Sequence, residues 1–190
     1  PADRLFTALA ITGVSIPHYW LAIVLVIIFS VELGWLPSLG MTGSGGTRFD
    51  FSAENFRHMV LPVIALSVIP AGIVTRTVRG AVAELLNMEF VEALRAKGLS
   101  EFKVLMHVAK NAAPQVMAVM GLQLGYLLGG SILIETVFAW PGTGLLLNNA
   151  IFARDIPMLQ GTILALALIF VTLNLLVDIA QATVDPRIKR

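Results

Sequence analysis

An all-α, polytopic bundle of membrane-spanning helices is the fold class that this 190-residue sequence predicts, and three observations carry it. Hydrophobic residues make up 57% of the chain and charged residues 13%, with a mean hydropathy of +0.84; a soluble domain of this size cannot hide that much apolar surface. Four stretches, 5–31, 58–75, 111–134 and 156–177, contain no Asp, Glu, Lys or Arg and are 27, 18, 24 and 22 residues long. A helix needs ~20 apolar residues to cross ~30 Å of hydrocarbon, so each is long enough, or nearly so, for one crossing. Unpaired peptide groups are too costly in lipid for irregular chain, and no barrel-type alternation is present, so the crossings are helical. The expected spans are 17–33, 58–76, 112–135 and 157–178, with a loop at 77–110.

The first stretch is longer than one crossing needs and is interrupted at Ser15-Ile16-Pro17-His18-Tyr19-Trp20. Proline removes a backbone donor and disfavours helix in the residue before it, and Tyr and Trp favour the headgroup region. One reading starts the crossing near Pro17 and leaves 5–14 as a preceding helix; the other is a single tilted, kinked helix across the whole stretch.

Orientation follows from the basic residues. Four crossings put both termini and the 77–110 loop on one side, with Arg4, Arg76, Arg79, Arg95, Lys97, Lys103, Lys110, Arg187, Lys189 and Arg190, and leave Arg48, Arg57 and Arg154 on the other. The excess of Lys and Arg marks the first side as cytoplasmic.

The cytoplasmic loop carries its own pattern. Residues 81–97 hold no Pro or Gly, and Val82, Leu85, Leu86, Phe90 and Leu94 recur at spacings of three and four, which predicts one amphipathic helix ended by Gly98. Ser100 is placed to cap a second helix, with Glu101 in its first turn and Phe102, Leu105, Met106 and Ala109 on one face. Two amphipathic helices hinged at a glycine suit docking to a soluble partner; the same pattern also suits helices lying on the membrane surface.

Within the third stretch Gly121, Gly125 and Gly129 fall on one face, where small residues let helices approach closely. That face serves either an interface or pathway, or packing inside the chain. Gln123 and Tyr126 lie on other faces and offer polar groups to a passing solute. Glu135 closes the third span, and Asn174 and Asp178 lie one turn apart on the fourth. Ionisable groups at membrane depth mark pathways or pairs. The alternatives are that Glu135 caps the loop that follows it and that Asp178 sits at headgroup level.

On the outer side, 40–47 is rich in glycine and serine, whereas Trp140-Pro141-Gly142-Thr143-Gly144 is a turn expected to fold into the mouth. Phe138, Trp140 and Arg154 are candidate gate or contact residues there, with interfacial anchoring as the simpler role for the aromatics.

Phe90-Val91-Glu92-Ala93-Leu94-Arg95-Ala96-Lys97-Gly98-Leu99-Ser100, followed by His107 and Lys110-Asn111-Ala112, resembles the E-A-A loop of binding-protein-dependent ABC importer permeases in the dipeptide, oligopeptide and nickel subfamily. Three further blocks resemble that subfamily in the same order. They are Ser15-Ile16-Pro17-His18-Tyr19-Trp20 with Leu33-Gly34-Trp35-Leu36-Pro37, then Glu135-Thr136-Val137-Phe138-Ala139-Trp140-Pro141-Gly142-Thr143-Gly144, then Asp185-Pro186-Arg187. The resemblance implies a type I (MetI-like) importer permease core over 1–190, with the N-terminal spans of longer members preceding Pro1. It implies that a short coupling helix bearing Glu92, Ala93, Arg95, Lys97, Gly98 and Leu99 docks in a groove of a separate ATP-hydrolysing subunit. Leu94 stands where the family pattern has its second alanine.

By the same resemblance the partners are a second, homologous permease subunit in a heterodimer, two cytoplasmic ATP-binding subunits, an extracytoplasmic binding protein and membrane lipid, with no nucleic acid. The location is a bacterial cytoplasmic membrane, and the solute is a short peptide or related small molecule. ATP and Mg belong to the partner subunits, and this chain needs no cofactor of its own. It holds no G-x-x-x-x-G-K-[ST] phosphate loop.

Enzymatic readings find little support. Cysteine is absent, which excludes disulfides, thiolate zinc sites and cysteine nucleophiles. On the expected topology His18 and His107 fall at cytoplasmic boundaries and His58 at an outer one, too far apart for a shared metal site or an intramembrane hydrolase centre. The alternative transport reading is an ion-gradient-driven secondary transporter or channel, with Glu135 and Asp178 as coupling carboxylates.

Overall fold

The computed structural model describes residues 16–42 and 51–184. Arg4, the helix expected at 5–14, most of the 40–47 loop, Arg48 and the Asp185-Pro186-Arg187 block lie outside the described residues. The described residues form six α-helices and one π-helical segment. They are α1 (His18–Leu25), the π segment Val26–Glu32, α2 (Ala53–Leu86), α3 (Glu89–Ala96), α4 (Glu101–Val137), α5 (Thr143–Ala153) and α6 (Ile156–Val184).

Three helices are long and apolar enough to cross a membrane, Ala53–Leu86, Glu101–Val137 and Ile156–Thr183. The fourth expected crossing is the α1 and π segment, His18–Glu32. Its ends agree with 17–33, but at 1.5 Å per residue it reaches only about 22 Å, short of the ~30 Å hydrocarbon thickness.

The long helices outrun their charge-free stretches. Ser52 Oγ accepts from Asn55 N (3.3 Å) to cap α2, which then runs through Pro62 and Pro70 and past Arg76 and Arg79 to Leu86. The expected single helix over 81–97 is broken at Asn87 and Met88. There Asn87 ends α2, its Nδ2 donating to Ala83 O at 2.9 Å, and Met88 is extended. The second loop helix is not separate from the third crossing: α4 passes through Pro114 unbroken.

α4 is the hub, packing against α1, α2, α3, α5 and α6. At one end its Ile134, with Phe138 just beyond the helix, joins Ala22 of α1 and Leu61 and Ala65 of α2 in a buried core. At the other end its Val104 and Val108 bury Val91 of α3, with Val82, Leu85, Leu86, Phe90, Leu94 and Leu99 around them. The face marked by periodicity, Phe102, Leu105, Met106 and Ala109, is exposed. Both faces of this part of α4 are apolar, and the packing of Val91 and its apolar neighbours decides which is buried.

The segment 135–155 holds an extra eleven-residue helix, α5, packed on α4 and α6. Outward, the bundle is apolar: none of the most hydropathic window of α6 is buried, the surface expected of a helix facing lipid or another subunit.

The glycine face of α4 divides. A Cβ on Gly121 would lie 2.8 Å from Val177 Cγ1, and one on Gly125 would run into the Phe170 ring, so both glycines admit α6 of the same chain. Gly129 meets nothing within 4 Å. Thermal unfolding in detergent should therefore separate two variants. Gly125→Leu lowers the midpoint, since overpacking costs about 1–3 kcal/mol. Gly129→Ala holds or raises it, helix propensity favouring Ala by roughly 0.5–1 kcal/mol.

Candidate functional site

The expected docking residues gather at the basic end of the bundle. Val91 and Leu94 face the valine core, which leaves Glu92, Ala93, Arg95, Ala96, Lys97 and Gly98 exposed on α3 and its turn, with Leu99 half-buried. Gly98 adopts φ +78°, a left-handed conformation that glycine takes without steric cost. Around it Gly98 N donates to Arg95 O at 2.9 Å and Leu99 N to Leu94 O at 3.3 Å.

Ser100 occupies the cap position of α4, but its hydroxyl makes no capping bond. Glu101 does more than suit the helix dipole. Arg95 donates to it twice, Nε to Oε1 at 2.9 Å and Nη2 to Oε2 at 3.1 Å. The hydrogen bond, then the charge of Glu101, raises the Arg95 pKa, and the bond to Arg95 holds Glu101 below its ordinary carboxylate value. Because the Glu101 value is lowered in the folded chain, the pair is formed at neutral pH. Its contribution is lost only as pH falls through that lowered value. The sequence signal for this pair was opposite charge on either side of a helix-ending glycine.

At the opposite end Glu135 has a structural task. Its Oε2 accepts from the backbone amides of Gly144 (2.7 Å) and Leu145 (2.9 Å), the first turn of α5. These amides have no intrahelical partner, and a carboxylate at a helix N-terminus also meets the positive end of the dipole. The contact depends on missing side chains. A Cβ on Gly142 would strike the Glu135 carboxylate, and one on Gly144 would lie 2.5 Å from Ile132 Cα. Glu135 therefore caps α5, rather than the loop that begins at Thr136.

The other expected residues scatter. Phe138 is 1% exposed and belongs to the core, not to an exposed outer contact. Trp140 is half-buried over a cavity of about 230 Å³ lined also by Met59, Pro62, Leu66, Ser131 and Glu135. Arg154 ends α5 in a left-handed conformation, φ +55°, exposed. Gln123 buries an Oε1 that has no hydrogen-bond partner. Asn174 is half-buried and Asp178 exposed, both on α6.

One placement corrects the sequence reading of the histidines. His18 is not at a cytoplasmic boundary: its Nδ1 lies 3.1 Å from Tyr126 Oη, inside the charge-free part of α4. His58 is 8% exposed, and its Nδ1–H donates to the carbonyls of Leu39 (3.1 Å) and Gly40 (3.2 Å). Arg57 Nη2 donates to Trp35 O, and Gly40 N to Phe138 O at 2.8 Å, so the 33–42 loop is tied across α2 and α4. Among the described residues no three His, Cys, Asp or Glu side chains group to hold a metal ion.

All of residues 1–190 match the family described as "Binding-protein-dependent transport system inner membrane component". A dipeptide transport system permease protein of Alkalihalophilus pseudofirmus is 42% identical, over 98% of this chain and 61% of its own length. A glutathione transport system permease protein of Escherichia coli (strain K12) is 40% identical, over 98% of this chain and 58% of its own. The chain thus spans 61% and 58% of these two relatives.

The Glu135 cap makes a direct prediction. Glu135→Ala should speed hydrogen exchange at the Gly144 and Leu145 amides and cost about 0.5–2 kcal/mol, as the loss of a helix cap does. Glu135→Gln, which keeps an acceptor oxygen, should cost less. Gly144→Ala should lower the unfolding midpoint by an overpacking cost of about 1–3 kcal/mol, because the obstructing atom is backbone.

Proposed function

For a chain that belongs to the binding-protein-dependent transport system inner membrane component family, we propose the role of permease subunit in an ABC importer of short peptides or a related small solute. The observation that carries this reading is the exposed face Glu92, Ala93, Arg95, Lys97 and Gly98, backed by a buried valine core and joined by one turn to α4. Such a face is polar, and lies at the end of the bundle where Arg and Lys concentrate. It has the character of a docking surface for a soluble protein.

Four crossings near 17–33, 58–76, 112–135 and 157–178 then put both chain ends and the 77–110 segment in the bacterial cytoplasm. Glu92 to Leu99 insert into an ATP-binding subunit, and ATP and Mg are handled there, not in this chain. A second permease subunit covers apolar surface that this chain leaves open, and an extracytoplasmic binding protein delivers the solute to the end bearing Trp140 and Arg154. Closure of two ATPases is thereby passed to the helices as a rigid-body rearrangement. The names of the relatives, dipeptide and glutathione permeases, support a peptide-like solute with a free carboxylate and amide groups.

The full-length protein should copurify with an ATP-hydrolysing subunit, and in liposomes with its binding protein it should take up labelled dialanine or glutathione only when ATP is supplied. Uptake in ATP-depleted vesicles under an ion gradient, with no ATPase bound, overturns the reading. Gly98→Pro, which forces φ to about −65° where the turn needs a positive value, and Glu92→Lys should leave membrane insertion intact. Each should lower uptake about tenfold or more, the effect of losing ~1.4 kcal/mol of contact.

A further inference from the structure

We propose that Arg95 and Glu101 form an internal strut that locks α3 to α4 across Gly98. They act as positioning residues that make the docking turn and the longest helix move as one body, rather than as direct contacts of the ATPase. The inference rests on the docking reading above and adds how the motion is carried.

The joint itself is weak. Gly98 has no side chain, nothing stands within 4 Å of where one would begin, and the turn is spanned by a few backbone bonds. Glycine at positive φ is the residue that gives a chain the most freedom to swing. Two contacts oppose that swing. Farther from the turn, Val91 packs on Val104 and Val108. One helical turn closer to the joint on α3, Arg95 meets Glu101 through two N–H donors on two oxygens. A bidentate pair fixes orientation as well as distance, because the planar fork engages both carboxylate oxygens at once.

Charge adds to the geometry. The guanidinium is held in its charged form and the carboxylate is kept ionised at neutral pH, each by the other. Glu92, also near Arg95, adds attraction that favours the charged guanidinium. Two donor N–H groups of Arg95 are already engaged inside the chain, which leaves Glu92, Ala93 and Lys97 as the freer groups of the docking face. Beyond the strut, α4 continues without a break to Val137, where Glu135 holds α5. A push on α3 therefore reaches the far end of the bundle only as fully as the joint at Gly98 is stiff.

The test uses the full-length permease in liposomes with its ATPase subunits, with spin labels on cysteines at Glu89 and Lys103, both exposed. The native pair should give one narrow distance distribution. Arg95→Glu and Glu101→Arg should each broaden it and lower the dialanine or glutathione taken up per ATP hydrolysed by about two- to fivefold, the scale on which an exposed ion pair acts. The exchanged pair, Arg95→Glu with Glu101→Arg, should restore both.

The proposal is overturned if the single variants keep a narrow distribution. It is overturned equally if the exchanged pair stays as impaired as the singles, because Arg95 or Glu101 then serves the partner directly. The distance measurement needs no ATPase, so it decides the strut even if the native chain binds none; that absence sinks only the docking reading.

Discussion

The structure depends on α4 remaining one helix from Glu101 to Val137. At 1.5 Å per residue its 37 residues reach about 55 Å, well beyond the ~30 Å of a hydrocarbon core. The backbone has no other economical way through lipid, since each peptide group left unpaired there costs several kcal/mol. What the extra length provides is reach. The same helix that crosses also carries Val104 and Val108 to α3 at one end and Ile134 and Glu135 to the core and α5 at the other.

Polar chemistry is concentrated at the helix ends, where backbone groups lack intrahelical partners. Asp155 Oδ1 accepts from Met158 N at 3.0 Å to begin α6, as Ser52 begins α2 and Glu135 begins α5. The loop at 33–42 is held by His58, Arg57 and the carbonyl of Phe138. These contacts make the end bearing Trp140 a fixed cap over the bundle. The basic end is different: its docking turn projects from one glycine joint, and its polar groups are exposed.

Much of this was legible in the residues. Charge-free stretches located the long helices, because a charge within the hydrocarbon is so costly that its absence marks depth. Gly98 announced the turn, and the exposed face from Glu92 to Gly98 agrees with the pattern of Leu85, Phe90 and Leu94 beneath it.

What the sequence hid was tertiary. Val104 and Val108 are buried, and Phe102, Leu105 and Met106 exposed, by the packing of Val91 and its apolar neighbours from α2 and α3. The break at Asn87 and Met88 falls in a stretch with no glycine or proline to signal it. For Glu135 the sequence leaves a membrane carboxylate and a capping role both open, and the amides of Gly144 and Leu145 identify the cap. His18 reads as a boundary residue until Tyr126 fixes its depth.

The central claim is that the face around Ala93 is cytoplasmic and meets an ATP-binding subunit. These 190 residues contain no cysteine, so Ala93→Cys, with any cysteine elsewhere in the full-length protein replaced, gives a single handle. The decisive measurement is photo-crosslinking from that cysteine in native membranes, paired with labelling by a membrane-impermeant maleimide from each side. The account predicts a covalent adduct with the ATPase subunit and labelling only from the cytoplasmic side. Labelling from the outside, or adducts with lipid alone, would contradict it.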